Sequence, residues 1–166
     1  MANTKTIGET TEAIVLAEFV KAGFPVLLRF GDNQRYDLVI EAGGRFLRVQ
    51  CKTASRCGWK GNRSCIRFKA RSGAFGPGDR VTSRAQPYRD QADLFAAYAA
   101  STGQVYVIAV DEVPETDVWL RVDPARNNQQ ARIRLAEEHT LEAWAARLAS
   151  SPPGVLSAAG QPGELR

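Results

Sequence analysis

Asp37, Gln50 and Lys52 are residue types that together could carry out metal-assisted phosphate chemistry. Carboxylate and amide oxygens are hard ligands suited to Mg2+, which binds through one or two carboxylates and fills its shell with water and phosphate. An ion held this way polarises a phosphodiester and lowers the pKa of an attacking water. A lysine beside it can orient that water or stabilise the negative charge that develops. A fourth candidate, Glu12, lies upstream in the first predicted helix. Each residue also has a plainer reading. Asp37 could pair with Arg35 or Arg48, Gln50 could be a polar strand residue, Lys52 a solvated strand-end charge, and Glu12 a paired structural acid. The two readings part on whether the local elements bring these side chains together.

The hairpin predicted around Gly43-Gly44 does so. Tyr36–Glu41 and Arg45–Lys52 alternate as strands do, and a two-residue turn between them fixes the register. Leu38 then faces Val49 and Ile40 faces Leu47, which assembles one apolar side. The same register sets Asp37 opposite Gln50, with cross-strand Cβ atoms roughly 4.5–5.5 Å apart. Lys52 follows on the same face, while Cys51 points into the core. The first helix, of about 17 residues, opens at Thr6 with Glu9 completing a capping box, and stops at Gly23. At ~100° per residue, Val15, Leu16, Phe19 and Val20 share one sector, and Glu12 falls in its middle. Glu18 and Lys21 fall on the opposite side. A carboxylate centred on an apolar stripe is costly unless it is paired or used.

Further strands are expected at Val26–Phe30, Ser64–Ala70, Ala92–Tyr98, Val105–Val110 and Val118–Val122. The alanines of Ala92–Tyr98 favour helix, but its place before a turn and the VYVIAV run favours a hairpin strand. Loops are expected at Thr53–Arg63 and 72–80, and an amphipathic helix at Thr140–Ala149 carrying Leu141, Trp144 and Leu148. Residues 1–149 read as one domain and 150–166 as a flexible Pro/Gly-rich tail. A length of 166 residues suits one domain with a core, and 44% hydrophobic with 24% charged residues excludes disordered and fibrous classes. No run approaches the ~18 apolar residues of a membrane span, and no secretory signal is visible. Cys51, Cys57 and Cys65 fit neither a disulfide framework nor a common zinc pattern, so a reducing cytoplasm is expected.

Charge is distributed unevenly. Nine basic and no acidic residues fall between Ala42 and Gly78, leaving 13 basic and 18 acidic elsewhere. Such a stretch reads as a polyanion-binding face or as a solvated basic hairpin. On the first reading Arg48, Arg56, Lys60, Arg63, Arg67, Lys69 and Arg71 contact DNA, and Trp59 and Phe75 could stack on bases. His139 stands alone in a charged stretch and is expected at the surface.

Tyr36-Asp37, twelve intervening residues and Gln50-Cys51-Lys52, taken with Glu12 and Gly8, resemble the PD-(D/E)xK nuclease superfamily. Tyr36 stands where that motif has proline, and Gln50 where it has Asp or Glu. TKTIGETTEAIVLAEFVKAGFPVLLRFGDNQRYDLVIEAGGRFLRVQCKTA is similar to the bacterial group I intron-encoded homing-endonuclease branch, which tolerates Gln at that place. YRDQADLFAAYAASTGQVYVIAV and LRVDPARNNQQARIRLAEEH extend the similarity to roughly residues 4–145. The resemblance implies an α/β restriction-endonuclease-like core: a mixed β-sheet with flanking helices, opening α-β-β-β, with an extra β-hairpin and a C-terminal helix. It implies a Mg2+-dependent endonuclease, with Mn2+ able to substitute, that cuts double-stranded DNA in the bacterial cytoplasm. Asp37, Gln50 and Glu12 would be metal ligands and Lys52 the catalytic cation. A duplex cutter with one site per chain also implies a dimer or tetramer. A Holliday-junction resolvase-like enzyme and a catalytically weak DNA-binding module stay open as alternatives.

Overall fold

The computed structural model describes residues 3–31, 34–58, 64–72, 86–123 and 133–150. Helix α1 spans Thr4–Lys21, so it begins before the expected Thr6 cap. Its N-cap is Asn3, whose side-chain oxygen accepts the Lys5 N–H at 3.2 Å. Thr6 lies inside the helix, where its carbonyl accepts the Thr10 hydroxyl at 2.8 Å. The stop falls where expected: Gly23 adopts φ +86°, the left-handed conformation that closes a helix.

Strands β1 (Val26–Leu28), β2 (Leu38–Ala42) and β3 (Arg45–Cys57) follow as an antiparallel meander. Leu38 pairs with Val49 and Ile40 with Leu47, the register that the two-glycine turn dictates. Strand β3 corrects the expected loop at Thr53–Arg63, because it continues to Cys57. Its extension finds partners that are remote in sequence. Strand β4 (Cys65–Lys69) pairs with its end antiparallel, from Ser55↔Arg67 to Cys57↔Cys65. A short ladder of β5 (Arg71–Ser72) and β6 (Gln86–Pro87), not anticipated from the sequence, stands apart. Strand β7 (Leu94–Ala99) runs parallel to the middle of β3, from Val49↔Leu94 to Ala54↔Ala99. It turns back into β8 (Gln104–Ala109) as an antiparallel hairpin. Strand β9 (Asp117–Arg121) pairs with β4, completing a seven-stranded mixed sheet. Helix α2 (Leu141–Ser150) is capped by Thr140, whose Oγ1 accepts the Ala143 N–H at 3.2 Å.

Strand β7 explains its own composition. It is covered on both faces, so Ala96 packs with the helices on one side while Ala97 and Ala99 meet Ile66, Phe68, Val118 and Leu120 on the other. Small residues let both layers close on a strand buried twice. The helix layer holds Val15 and Phe19 against Leu38, Ile40, Val49 and Val107, with Phe19 edge-on to Trp144 at 6.2 Å. The buried stripe of α1 is Thr11, Val15 and Phe19, while Val20 is 55% exposed. This turns the stripe away from the sector expected and sets Glu12 on its rim rather than its middle. The reason is Thr11, which can be buried because its hydroxyl shares a 2.7 Å hydrogen bond with Thr53 of β3. His139, in the short helical turn that leads into α2, is half-buried rather than fully at the surface as expected, while Glu137 and Glu138 of the same turn are exposed. Among the described residues no helix is long and apolar enough to cross a membrane, and the tail at 151–166, Lys60, Arg63, Trp59 and Phe75 lie outside them.

Candidate active site

The strand register does what the turn requires. Asp37 stands one residue before β2, its N–H donating to the Val49 carbonyl at 2.9 Å, which extends the ladder by one step. Its Oδ2 accepts two hydrogen bonds, from Gln50 Nε2 at 2.5 Å and from the Cys51 N–H at 2.7 Å. Gln50 Nε2 also donates to the Cys51 carbonyl at 3.2 Å. Among the described residues, the side-chain hydrogen bonds of this pair run through Asp37 Oδ2 and Gln50 Nε2. Burial raises the Asp37 pKa above its ordinary value, against the opposing pull of the Cys51 N–H, Arg29, Lys52 and Gln50.

Lys52 follows on the same face, half-buried. Burial pushes its pKa down to about 8, against the attraction of Asp37, and Arg35 pushes in the same direction as burial. Its Nζ donates to Tyr88 Oη at 3.0 Å. Cys51 turns to the core between them, as the alternation requires, and its burial pushes the thiol well up.

Glu12 reaches the same region from α1. Desolvation raises its pKa first, and the negative charge of Asp37 raises it further, while Arg29 opposes both. It nonetheless keeps much of its solvent exposure at the helix rim. The Thr11–Thr53 hydrogen bond holds this turn of helix beside the strand that carries Gln50 and Lys52. Among the described residues no three His, Cys, Asp or Glu side chains gather to hold a metal, so an ion here would rest on two carboxylates and the amide oxygen. That donor set fits a hard divalent cation, which would also relieve two carboxylates whose desolvation and mutual charge disfavour ionisation.

The basic stretch divides. Arg48 is held by Asp93 through Nη2 at 2.8 Å and Nε at 3.1 Å, and its Nη1 donates to the Asp90 carbonyl at 2.9 Å. Arg56 pairs with Asp123 at 3.2 Å, and Arg67 with Asp117 at 3.0 Å while lying over Trp119. Lys69 and Arg71 are exposed. Two residues of the site escaped the sequence reading. Arg29 is the one charge in the VLLRF run, and the β1–β2 register, continued one step past Leu28↔Leu38, sets it across from Asp37. Tyr88 opens the YRDQ segment, and only the folding of that distant segment brings it to Lys52.

A family profile described as PD-(D/E)XK endonuclease matches residues 2–142. No curated protein matches the chain. Among solved structures, the bacterial homing endonuclease I-Ssp6803I superposes with a TM-score of 0.67 at 25% identity, over 89% of this chain and 95% of that one. Since the profile runs through most of the sequence and the neighbour repeats nearly all of its fold, the chain belongs to the PD-(D/E)XK endonuclease family, as a DNA endonuclease on an α/β restriction-endonuclease-like fold.

Proposed function

We propose that the chain hydrolyses phosphodiester bonds of double-stranded DNA with Mg2+, for which Mn2+ can substitute, in the manner of the homing endonuclease it resembles. Asp37 Oδ1, Gln50 Oε1 and the Glu12 carboxylate would hold the ion. When bound, the ion polarises the phosphodiester and lowers the pKa of water beside it. Lys52 supplies the second positive charge, directed at a phosphate oxygen or the attacking water. The Cys51 N–H and Gln50 Nε2 both donate to Oδ2 and so fix the Asp37 carboxylate in one orientation. The observation that carries the proposal is this convergence on Asp37 in a chain of an endonuclease family.

Phosphate contacts would come chiefly from Lys60, Arg63, Lys69 and Arg71. Arg48, Arg56 and Arg67 already make charged hydrogen bonds within the fold, and a phosphate would have to share or displace their aspartates. Two strands cut by one site per chain call for a homo-oligomer of even number, a dimer or tetramer. The test is cleavage of plasmid, linear duplex and a synthetic four-way junction, each with Mg2+ and with EDTA. Metal-dependent cutting of plasmid and duplex supports the proposal. Cutting confined to the junction would make the enzyme a resolvase, and binding without cutting on any substrate would leave a DNA-binding module.

A further inference from the structure

We propose that Tyr88 is a positioning residue for Lys52: its phenol oxygen, helped by a weaker attraction from its ring, holds the ammonium at the Asp37–Gln50 cluster. The proposal rests on the nuclease reading of that cluster. Lysine is a point charge on a flexible four-carbon stem, so a lysine that acts on a particular atom must be restrained by something else. Here Lys52 Nζ donates to Tyr88 Oη at 3.0 Å and lies 4.3 Å from the centroid of the same ring. Together these distances place the ammonium over the hydroxyl end of the tyrosine, so the hydrogen bond is the main restraint and the ring adds a weaker attraction.

Tyr88 is in turn held from several sides. It is 6% exposed, and its ring stands edge-on to Phe95 with centroids 5.5 Å apart. The Arg35 guanidinium lies 4.4 Å from the ring centroid, and its Nη2 donates to the carbonyls of Gln86 and Pro87, at 3.0 Å each. The Tyr88 carbonyl accepts the N–H groups of Gln91 and Ala92, both at 3.0 Å, which closes the turn that follows. Arg35 is two residues from Asp37, so the strut that fixes Tyr88 begins beside the acid it serves. An ammonium has three donors. Tyr88 engages one and leaves two for a phosphate oxygen or a water. A carboxylate in this place would also hold Lys52, but it would neutralise the charge that the reaction uses. A phenol oxygen restrains the lysine and leaves its charge in force.

The test compares Tyr88→Phe, which keeps the ring and loses the acceptor, with Tyr88→Leu, which loses both. Cleavage by Tyr88→Phe should show kcat lower by about tenfold with KM unchanged, the loss expected for one hydrogen bond to a charged group. A purely structural tyrosine would instead lose KM and thermal stability together. Independently of cleavage, NMR of protein carrying 13C-labelled lysine, with Lys52→Ala used for assignment, should show the Lys52 ε-methylene protons shifted upfield by the ring. Tyr88→Phe should keep that shift and Tyr88→Leu should lose most of it, leaving the smaller contribution of Phe95, whose ring centroid lies 6.0 Å from Nζ. Wild-type kcat in Tyr88→Phe, or an upfield shift undiminished in Tyr88→Leu, would overturn the role of Tyr88 alone. A wild-type protein that cuts no DNA would overturn the nuclease reading, and this role with it.

Discussion

At Gln50 an amide takes the place of an acid, and the chemistry of the site turns on it. A neutral oxygen can ligate Mg2+ but brings no charge, so it holds a hard cation more weakly than a carboxylate would. In exchange the amide can donate, and its Nε2 donates to Asp37 Oδ2. Gln50→Glu replaces that donor by a second negative charge beside a carboxylate whose burial already raises its pKa. We expect the variant to bind Mg2+ more tightly, to keep part of its activity, and to melt lower than wild type without metal but not with it. Melting in EDTA and in Mg2+ reads both effects, and equal melting in both buffers would contradict them. On the proposed reading Glu12 would supply the charge that Gln50 lacks, so Glu12→Ala should impair cleavage severely. At this scale the sequence was legible because Asp37, Gln50 and Lys52 are related by a local turn. Tyr88 was not, since no spacing rule connects it to the hairpin, and Arg29 was not, since no two-residue turn fixes the β1–β2 register that sets it across from Asp37.

At the scale of elements, β3 is the scaffold on which the site depends, and Arg48 shows how it is anchored. The Arg48 N–H and guanidinium both bond Asp93, joining β3 to the turn before β7 beside the Asp37–Gln50 cluster. Burial alone would raise the Asp93 pKa, but the hydrogen bonds and charge of Arg48, with help from Arg45, outweigh it and hold the carboxyl below its ordinary 3.8. A carboxylate depressed in the folded chain contributes stability in full above its unfolded pKa and loses it as pH falls through the folded one. Asp93→Asn should therefore cost about 1–2 kcal/mol at neutral pH after solvent screening. The difference from wild type should close as the pH drops below 3.8, the ordinary carboxyl value. Melting curves across that range check it, and a gap unchanged in acid would show that the pair is not what Asp93 provides. The extension of β3 to Cys57 was illegible for a related reason. Thr53, Ser55 and Arg56 look like loop residues, and only the remote β4 and β7 supply their ladder partners. The alanine-rich β7 was legible in type but not in pairing, because its hairpin with β8 is local and its parallel pairing with β3 is not.

For the whole molecule, DNA affinity should be spread unevenly over the basic stretch. Replacing Lys60, Arg63, Lys69 and Arg71 by Gln should make the slope of log K against log salt shallower by about 0.9 for each phosphate no longer neutralised. Arg48→Gln, whose guanidinium is already engaged by Asp93 and Asp90, should change that slope least. An unchanged slope in the fourfold variant would move the DNA to another face. Light scattering should find an even-numbered homo-oligomer, free or on DNA, and a monomer in both conditions would contradict the symmetric cutter.

The central claim is that Asp37 and Lys52 form one metal-dependent cleavage site, and single-turnover plasmid cleavage against Mg2+ concentration tests it most directly. Asp37→Asn keeps an acceptor oxygen for the Cys51 N–H, and Lys52→Ala removes a cation that burial disfavours, so both variants should fold and bind DNA. Wild type should cut as Mg2+ rises and stop in EDTA, and each variant should cut at least about a hundredfold more slowly at saturating Mg2+. Near-normal cutting by either variant would contradict the claim.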